Sequence, residues 1–210
     1  MIMKRTFRAA QIIFYQGEVA LQSYRIRSGL VRAYIIHDNG EEATVAYFGP
    51  HDMFPVASSF QIAPVTLFYY ETVTESEIDV MNETDFADYI KSVARDEVDR
   101  FASRYVGALL HINALTQTNA RAKLAHTLRY LAIRFGEKSL DATRVKITIK
   151  LTQQDLARLC NASRETMSIE LGKLKDEGII IVKAKHYIVH FAKLNGIISD
   201  EKAPDITLKR

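Results

Sequence analysis

Residues 152–178 restrict the fold of this 210-residue chain more tightly than any other part of its sequence. Thr152-Gln153-Gln154-Asp155 is a capping box: the threonine oxygen satisfies an orphan amide, and the acid sits at the positive end of the helix dipole. The helix it starts runs to Cys160, with Leu156 and Leu159 on one side and Ala157 small enough for close helix contact. Asn161-Ala162-Ser163 makes a short turn, and Ser163 caps a second helix that stops at Glu177-Gly178. In that helix Met167, Leu171 and Leu174 recur at steps of four and three as the inward face, while Arg164, Glu165, Ser168 and Gly172 face outward. Two short helices joined in this way form a helix-turn-helix, whose second helix presents its first residues to base edges in the major groove of DNA. Residues 179–182 and 187–191 then read as a hairpin around Lys183-Ala184-Lys185-His186, a wing with a cationic tip suited to phosphates.

The residue types at the start of the second helix fit base reading. Arg164 can give two hydrogen bonds to the O6 and N7 of guanine, and Glu165 can accept from a cytosine amino group. Arg164 can also serve as a phosphate contact or a surface cation, and Glu165 as a favourable acid at a helix N-terminus, but the two together at this position favour base reading. The remaining expected DNA contacts are Thr152, Gln153, Ser163, Ser168, Ile169, Lys173, Lys183, Lys185 and His186.

Charge is distributed to match. Residues 1–118 hold 10 Lys+Arg against 15 Asp+Glu, whereas residues 119–194 hold 15 against 7, a net of +8. An acidic front with a basic back is what a DNA reader carrying a separate sensing or assembly domain would have. The +8 argues against a winged helix that docks only on protein. Cys160 is the single cysteine, which leaves no intrachain disulfide and no cysteine-built zinc or iron–sulfur site. No run reaches the roughly 18 apolar residues of a membrane span, and no cleavage site follows the first residues, so the expected compartment is the cytoplasm.

The first 80 residues read as short strands at 12–15, 24–28, 30–37, 42–48, 66–70 and 76–81, separated by turn signals such as Asp38-Asn39-Gly40 and Gly49-Pro50. Strands this short and this frequent point to a barrel, jelly roll or sandwich. The period then changes. Thr84 is placed to cap a short helix over 85–90, and a longer one runs from about 94 to 118. Its apolar positions Val98, Phe101, Tyr105, Ala108, Ile112 and Leu115 alternate in steps of three and four, the register of a helix paired with a copy of itself. Ala102, Leu109 and Thr116 widen the stripe, so packing within its own domain is the competing reading. Asn119 caps a further helix over 120–135, and 144–150 alternates as a strand. The expected class is α+β, with a β-roll over 1–93, a dimerisation helix over 94–118 and a winged helix-turn-helix over 119–210.

Residues 151–157 (Leu-Thr-Gln-Gln-Asp-Leu-Ala) and Ser163-Arg164-Glu165-Thr166, preceded by 24–32 and 48–54, resemble the cyclic-AMP receptor protein / fumarate–nitrate regulator (Crp/Fnr) family of bacterial transcription factors. The resemblance spans nearly the whole chain. It implies an N-terminal roll resembling a cyclic-nucleotide-binding domain, a coiled-coil homodimer, two recognition helices on palindromic double-stranded DNA, and RNA polymerase as a partner. Two departures stand out. The family's second guanine-reading arginine is replaced by Ile169, which can touch a thymine methyl but cannot donate. Cyclic-nucleotide members hold the phosphate with an arginine and helix amides, yet between Ala33 and Ile90 this chain has no Lys or Arg.

Cyclic AMP is therefore not expected as the signal, and no cofactor is implied. The roll is expected to sense some other signal or none; the alternative is a cyclic-nucleotide regulator with an altered phosphate pocket. Phe54, Val56, Ser58, Ser59, Phe68 and Tyr70, with Phe60 and Tyr69 beside them, are the residues placed to line an effector pocket; aromatic side chains in a small roll also serve simply as core. Of the six histidines only His186 and His190 stand at an H-x3-H spacing, and on a strand that separates them by roughly 13 Å, too far for one metal ion; no paired acid and base or nucleophile motif marks an enzyme.

Overall fold

Eight strands and two helices build the first part of the chain in the computed structural model, which describes residues 2–139 and 141–198. The end of the span read as 119–210 lies outside the described residues. β1 (Met3–Phe7), β8 (Ser76–Met81), β3 (Ser23–Ser28) and β6 (Met53–Phe54) form one sheet in that order, and β2 (Ile12–Phe14), β7 (Tyr69–Thr72), β4 (Val31–Ile36) and β5 (Glu42–Phe48) form another. All pairings are antiparallel. Their inner faces share one core of Phe14, Tyr24, Ile26, Val31, Ala33, Phe54, Tyr70, Ile78 and Val80. Aromatic rings dominate it: Phe14 meets Tyr24 edge-on at 5.0 Å and Phe54 stacks on Tyr70 at 5.3 Å.

Local chemistry explains the turns. Gly40 takes φ 82° in the β4–β5 hairpin, where its amide donates to His37. Gly29, at φ 98°, lies so close to Ser76 that a Cβ there would collide with its hydroxyl and with the Glu75 carbonyl. The strand expected over 66–70 begins later, at Tyr69. Thr66 instead ties the 15–18 loop, donating its hydroxyl to the Tyr15 carbonyl (2.5 Å) and exchanging backbone bonds with Gly17 and Glu18.

α1 (Val56–Ser59) is a single turn, and α2 (Glu83–Thr116) is the long helix. The two helical segments read from sequence are joined across Val93, whose φ of −125° marks a kink. The cap also differs from Thr84: Asn82 accepts from the Asp85 amide (2.8 Å), starting the helix two residues earlier. The chain divides into two compact units, one ending at Asp99 and one starting at Arg100.

In the second unit α3 (Ala120–Phe135) is capped by the Asn119 side chain and buries Leu124, Leu128 and Leu131 completely. Gly136 follows because a Cβ would run into the Ala132 carbonyl and Val145. β9 (Gly136–Lys138), β10 (Arg144–Ile147), β11 (Ile180–Lys183) and β12 (His186–His190) make a sheet ordered β11-β12-β10-β9, and α4 (Gln153–Cys160) and α5 (Arg164–Asp176) pack with α3. β10 stops at Ile147, short of the expected 150, where Thr148 turns to bond the Phe135 carbonyl. α6 (Phe191–Ile198) closes the described chain and buries Leu194.

Candidate nucleic-acid interface

The helix-turn-helix is built as its capping residues dictate. Thr152 Oγ1 accepts from the Asp155 amide (3.1 Å), while Asp155 Oδ2 accepts from the Thr152 amide (2.7 Å), so both halves of the capping box are made. Asn161 takes a left-handed conformation, φ 48°, ending α4 by donating to the Ala157 carbonyl. Ser163 Oγ accepts from the Thr166 amide (3.1 Å) and starts α5. Leu156, Leu159, Met167, Leu171 and Leu174 are buried between the helices. Burial of each contributes roughly 1.5–3 kcal/mol and fixes which face of α5 meets solvent.

That outer face splits into two stripes. Arg164, Ser168, Gly172 and Lys175 follow at steps of four, four and three, and line a groove of about 750 Å³ together with Leu151, Thr152, Gln153 and Gln154 from the start of α4 and Val182, Lys185 and Tyr187 from the wing. Glu165 and Ile169 lie on the neighbouring stripe, open to solvent, with Ile169 at 59% exposure. Hydrogen bonds from its own amide and from Ser163, followed by the Arg164 charge, hold the Glu165 carboxyl below the usual carboxylate range.

The structure thus brings Thr152, Gln153, Arg164, Ser168 and Lys185 to one groove. Ser163 sits beneath it as the cap, with its hydroxyl occupied. Lys173 lies on the flank, its ammonium 2.7 Å from Glu170. The wing turn is narrower than the four residues read from sequence. Lys183 pairs with His186 across the ladder, so only Ala184 (φ 47°) and Lys185 (φ 66°) form the tip. His186 is half-buried, with Nδ1 3.2 Å from the Ile147 carbonyl. Gln154 and Lys175 line the groove without having been singled out. The step of eleven from Arg164 to Lys175 is the signal that carries Lys175.

Of the residues placed at an effector pocket, Phe54 and Tyr70 are core, and Phe68 packs against them. Val56, Ser58 and Ser59 are half-buried in α1. Arginines of the roll already have carboxylates: Arg32 reaches Glu42 (2.7 Å) and Glu71 (2.6 Å), and Arg27 and Arg25 reach Asp79 (2.5 and 3.7 Å).

The comparisons with known proteins follow the same division. Residues 4–93 match the model of a cyclic nucleotide-binding domain, and residues 122–197 that of a Crp-like helix-turn-helix domain. A CRP-like cAMP-activated global transcriptional regulator of Mycobacterium tuberculosis H37Rv is 30% identical over 188 residues, covering 87% of this chain and 82% of that one. The chain belongs to the Crp/Fnr family. An anaerobic regulatory protein of Haemophilus influenzae is 26% identical over 196 residues, 93% of this chain and 75% of that one. In fold, this Crp/Fnr regulator is similar to FixK2 from Bradyrhizobium japonicum, with a TM-score of 0.77 at 19% identity over 96% of this chain and all of that one. The α+β architecture of sheet domain, long helix and helix-turn-helix is that of a DNA-binding transcription regulator. Among the described residues no helix is long and apolar enough to cross a membrane.

The expected pairing positions on α2 are all exposed: Val98 66%, Phe101 52%, Tyr105 60%, Ile112 56% and Leu115 38%, with Ala108 beside them. Leu109, read as widening the stripe, is also open at 48%. The inward side of the same helix is held by His111, whose Nε2 lies 3.0 Å from the Leu159 carbonyl and whose ring stacks on Tyr130 at 5.1 Å.

Proposed function

We propose that this regulator binds palindromic double-stranded DNA as a homodimer in the cytoplasm, reads each half-site with α5, and acts through RNA polymerase. The groove carries the reading. It sets Arg164 at the exposed first turn of a capped helix and brings Lys175, in the last turn, and Lys185, on the wing, to the same groove, the arrangement of charge and donors that positions on phosphates and reads base edges. Arg164 and Glu165 are the base readers, and Ile169 meets a thymine methyl where the family's best-known members read a guanine. The exposed apolar line along α2 supports pairing with a second copy.

The signal of the roll is not cyclic AMP, and no resident cofactor is needed. An aromatic core fills the space between the sheets, and Arg25, Arg27 and Arg32 of the roll are already held by carboxylates. A phosphate there would lose its charge-assisted bond. The match to a cyclic nucleotide-binding domain favours a second reading, a cyclic-nucleotide regulator with an altered pocket.

Selection from random duplexes with and without cyclic AMP separates the two. A palindrome enriched without nucleotide is expected. Enrichment only with it establishes the second reading, and none in either arm removes Arg164 and Glu165 as readers. Arg164→Ala should then cost roughly 1–3 kcal/mol and relax one base pair, whereas Lys185→Ala weakens all sequences alike. Equal losses on specific and random DNA for both variants would make Arg164 a phosphate contact.

A further inference from the structure

α5 carries a glycine that the free chain does not need. Glycine is the poorest helix former after proline, so an interior helical glycine is expected where a neighbour comes too close for a Cβ. Gly107 in α2 is such a case: a Cβ there would lie 2.7 Å from Arg134 Cδ. Around Gly172 the opposite holds. A Cβ would meet nothing within 4 Å, and the backbone there is ordinary helix. The open space is not general solvent but the groove itself, which Gly172 lines between Ser168 and Lys175.

We propose that Gly172 is a clearance point at which the sugar–phosphate backbone of bound duplex closes onto α5, with Lys175 as the adjacent phosphate contact. This rests on the reading of the groove as the DNA interface and adds to it a positioning residue outside the base readers. The geometry supports a strand lying along the groove. Arg164 stands at one end of the stripe, Lys175 lies eleven residues on at the other, and Lys185 of the wing faces them. A methyl group at Gly172 would raise the floor between these cations, one helical turn from Lys175. It would lift the backbone from both lysines without touching a base reader.

The free and bound proteins therefore respond in opposite directions. Gly172→Ala should raise the Tm of the free protein by a few degrees, because alanine is the better helix former and nothing obstructs it. It should weaken binding to the selected duplex by roughly five- to a hundredfold, the range for overpacking a filled contact. Gly196→Ala is the control: a Cβ at this position, in α6, also would meet nothing within 4 Å, and it lies outside the groove. It should raise stability and leave affinity unchanged. Lys175→Ala should weaken specific and random duplex alike and lower the salt slope by about one.

Gly172→Ala with wild-type affinity overturns the proposal, as does a lower Tm, which would make the glycine a requirement of the free fold. Equal loss in Gly196→Ala overturns it too, because the effect would not belong to the groove. If the wild-type protein selects no duplex, the functional reading falls and this falls with it. If wild type selects a palindrome and only the Gly172→Ala result fails, the functional reading stands alone.

Discussion

Cys160 lies at the end of α4 with no exposed surface, its sulfur 3.4 Å from the Thr127 hydroxyl. Burial pushes its thiol up to about 11, against a smaller downward pull from Thr127. The thiolate is the reactive form, and at pH 8 it amounts to on the order of one part in a thousand. We expect no alkylation of the folded protein by iodoacetamide at pH 8 and full alkylation after denaturation. DNA binding should not respond to thiol reagents. Rapid labelling of the native protein would mean that the core between α3, α4 and α5 opens far more readily than its packing allows. The same residue-scale logic separates the two ends of α5. Glu165 is exposed and kept ionised by local donors, whereas Glu170 is nearly buried and engaged with Lys173.

At the scale of elements, α3 is where acid should first be felt. Burial, and then the neighbouring Arg129 charge, lower the His126 imidazole from its ordinary 6.5. A histidine lowered on folding takes up protons in the unfolded chain first. Its share of stability is complete above 6.5 and declines as pH falls below that value, until the folded imidazole also protonates. Denaturation of the wild type at pH 7.5 and 5.5 should show that loss, and His126→Gln should show less of it. Parallel losses in both would assign the pH dependence to other groups. Elements were legible in the sequence where one side of a period was buried or a cap was specific. α3, α4 and α5 fall where Asn119, Thr152 and Ser163 place them, because those side chains make the capping bonds their chemistry suggests. β1 was not legible: four of its five residues are exposed, so Met3–Phe7 carries no alternation to read. β6 and β9 are two and three residues long, and α6 begins at the hairpin's last expected residue, Phe191, behind His190, whose ring accepts from the Lys193 amide (3.4 Å) without being one of the usual capping residues. In the groove the readable part was α5's polar face. Which of its two stripes faces the wing depends on where the β11–β12 hairpin lies, and no local pattern encodes that; Gln154 and Lys175 were missed for this reason.

At the scale of the molecule, the line Val98, Phe101, Tyr105, Ile112 and Leu115 presents large apolar side chains to solvent along one helix. Scattered apolar residues on a surface need no explanation, but a continuous line at heptad spacing is the face by which helices pair. If α2 pairs, two copies of α5 are carried to half-sites about one helical turn apart, and a palindrome follows from the two-fold axis. Ile112→Glu tests this with little cost to the separate chain, since the side chain is 56% exposed and the charge remains in water. In the dimer two carboxylates would face each other across the seam, which both desolvation and repulsion oppose. The variant should sediment as a monomer with an unchanged circular dichroism spectrum. It should keep its affinity for a single half-site and lose roughly 10²- to 10⁴-fold on the full palindrome, because the second half-site no longer binds as part of one molecule. The outcome that sinks the seam is a stable Ile112→Glu dimer with full affinity for the palindrome. In that case α2's stripe would have another partner, and the two-fold axis would have to be sought elsewhere on the chain.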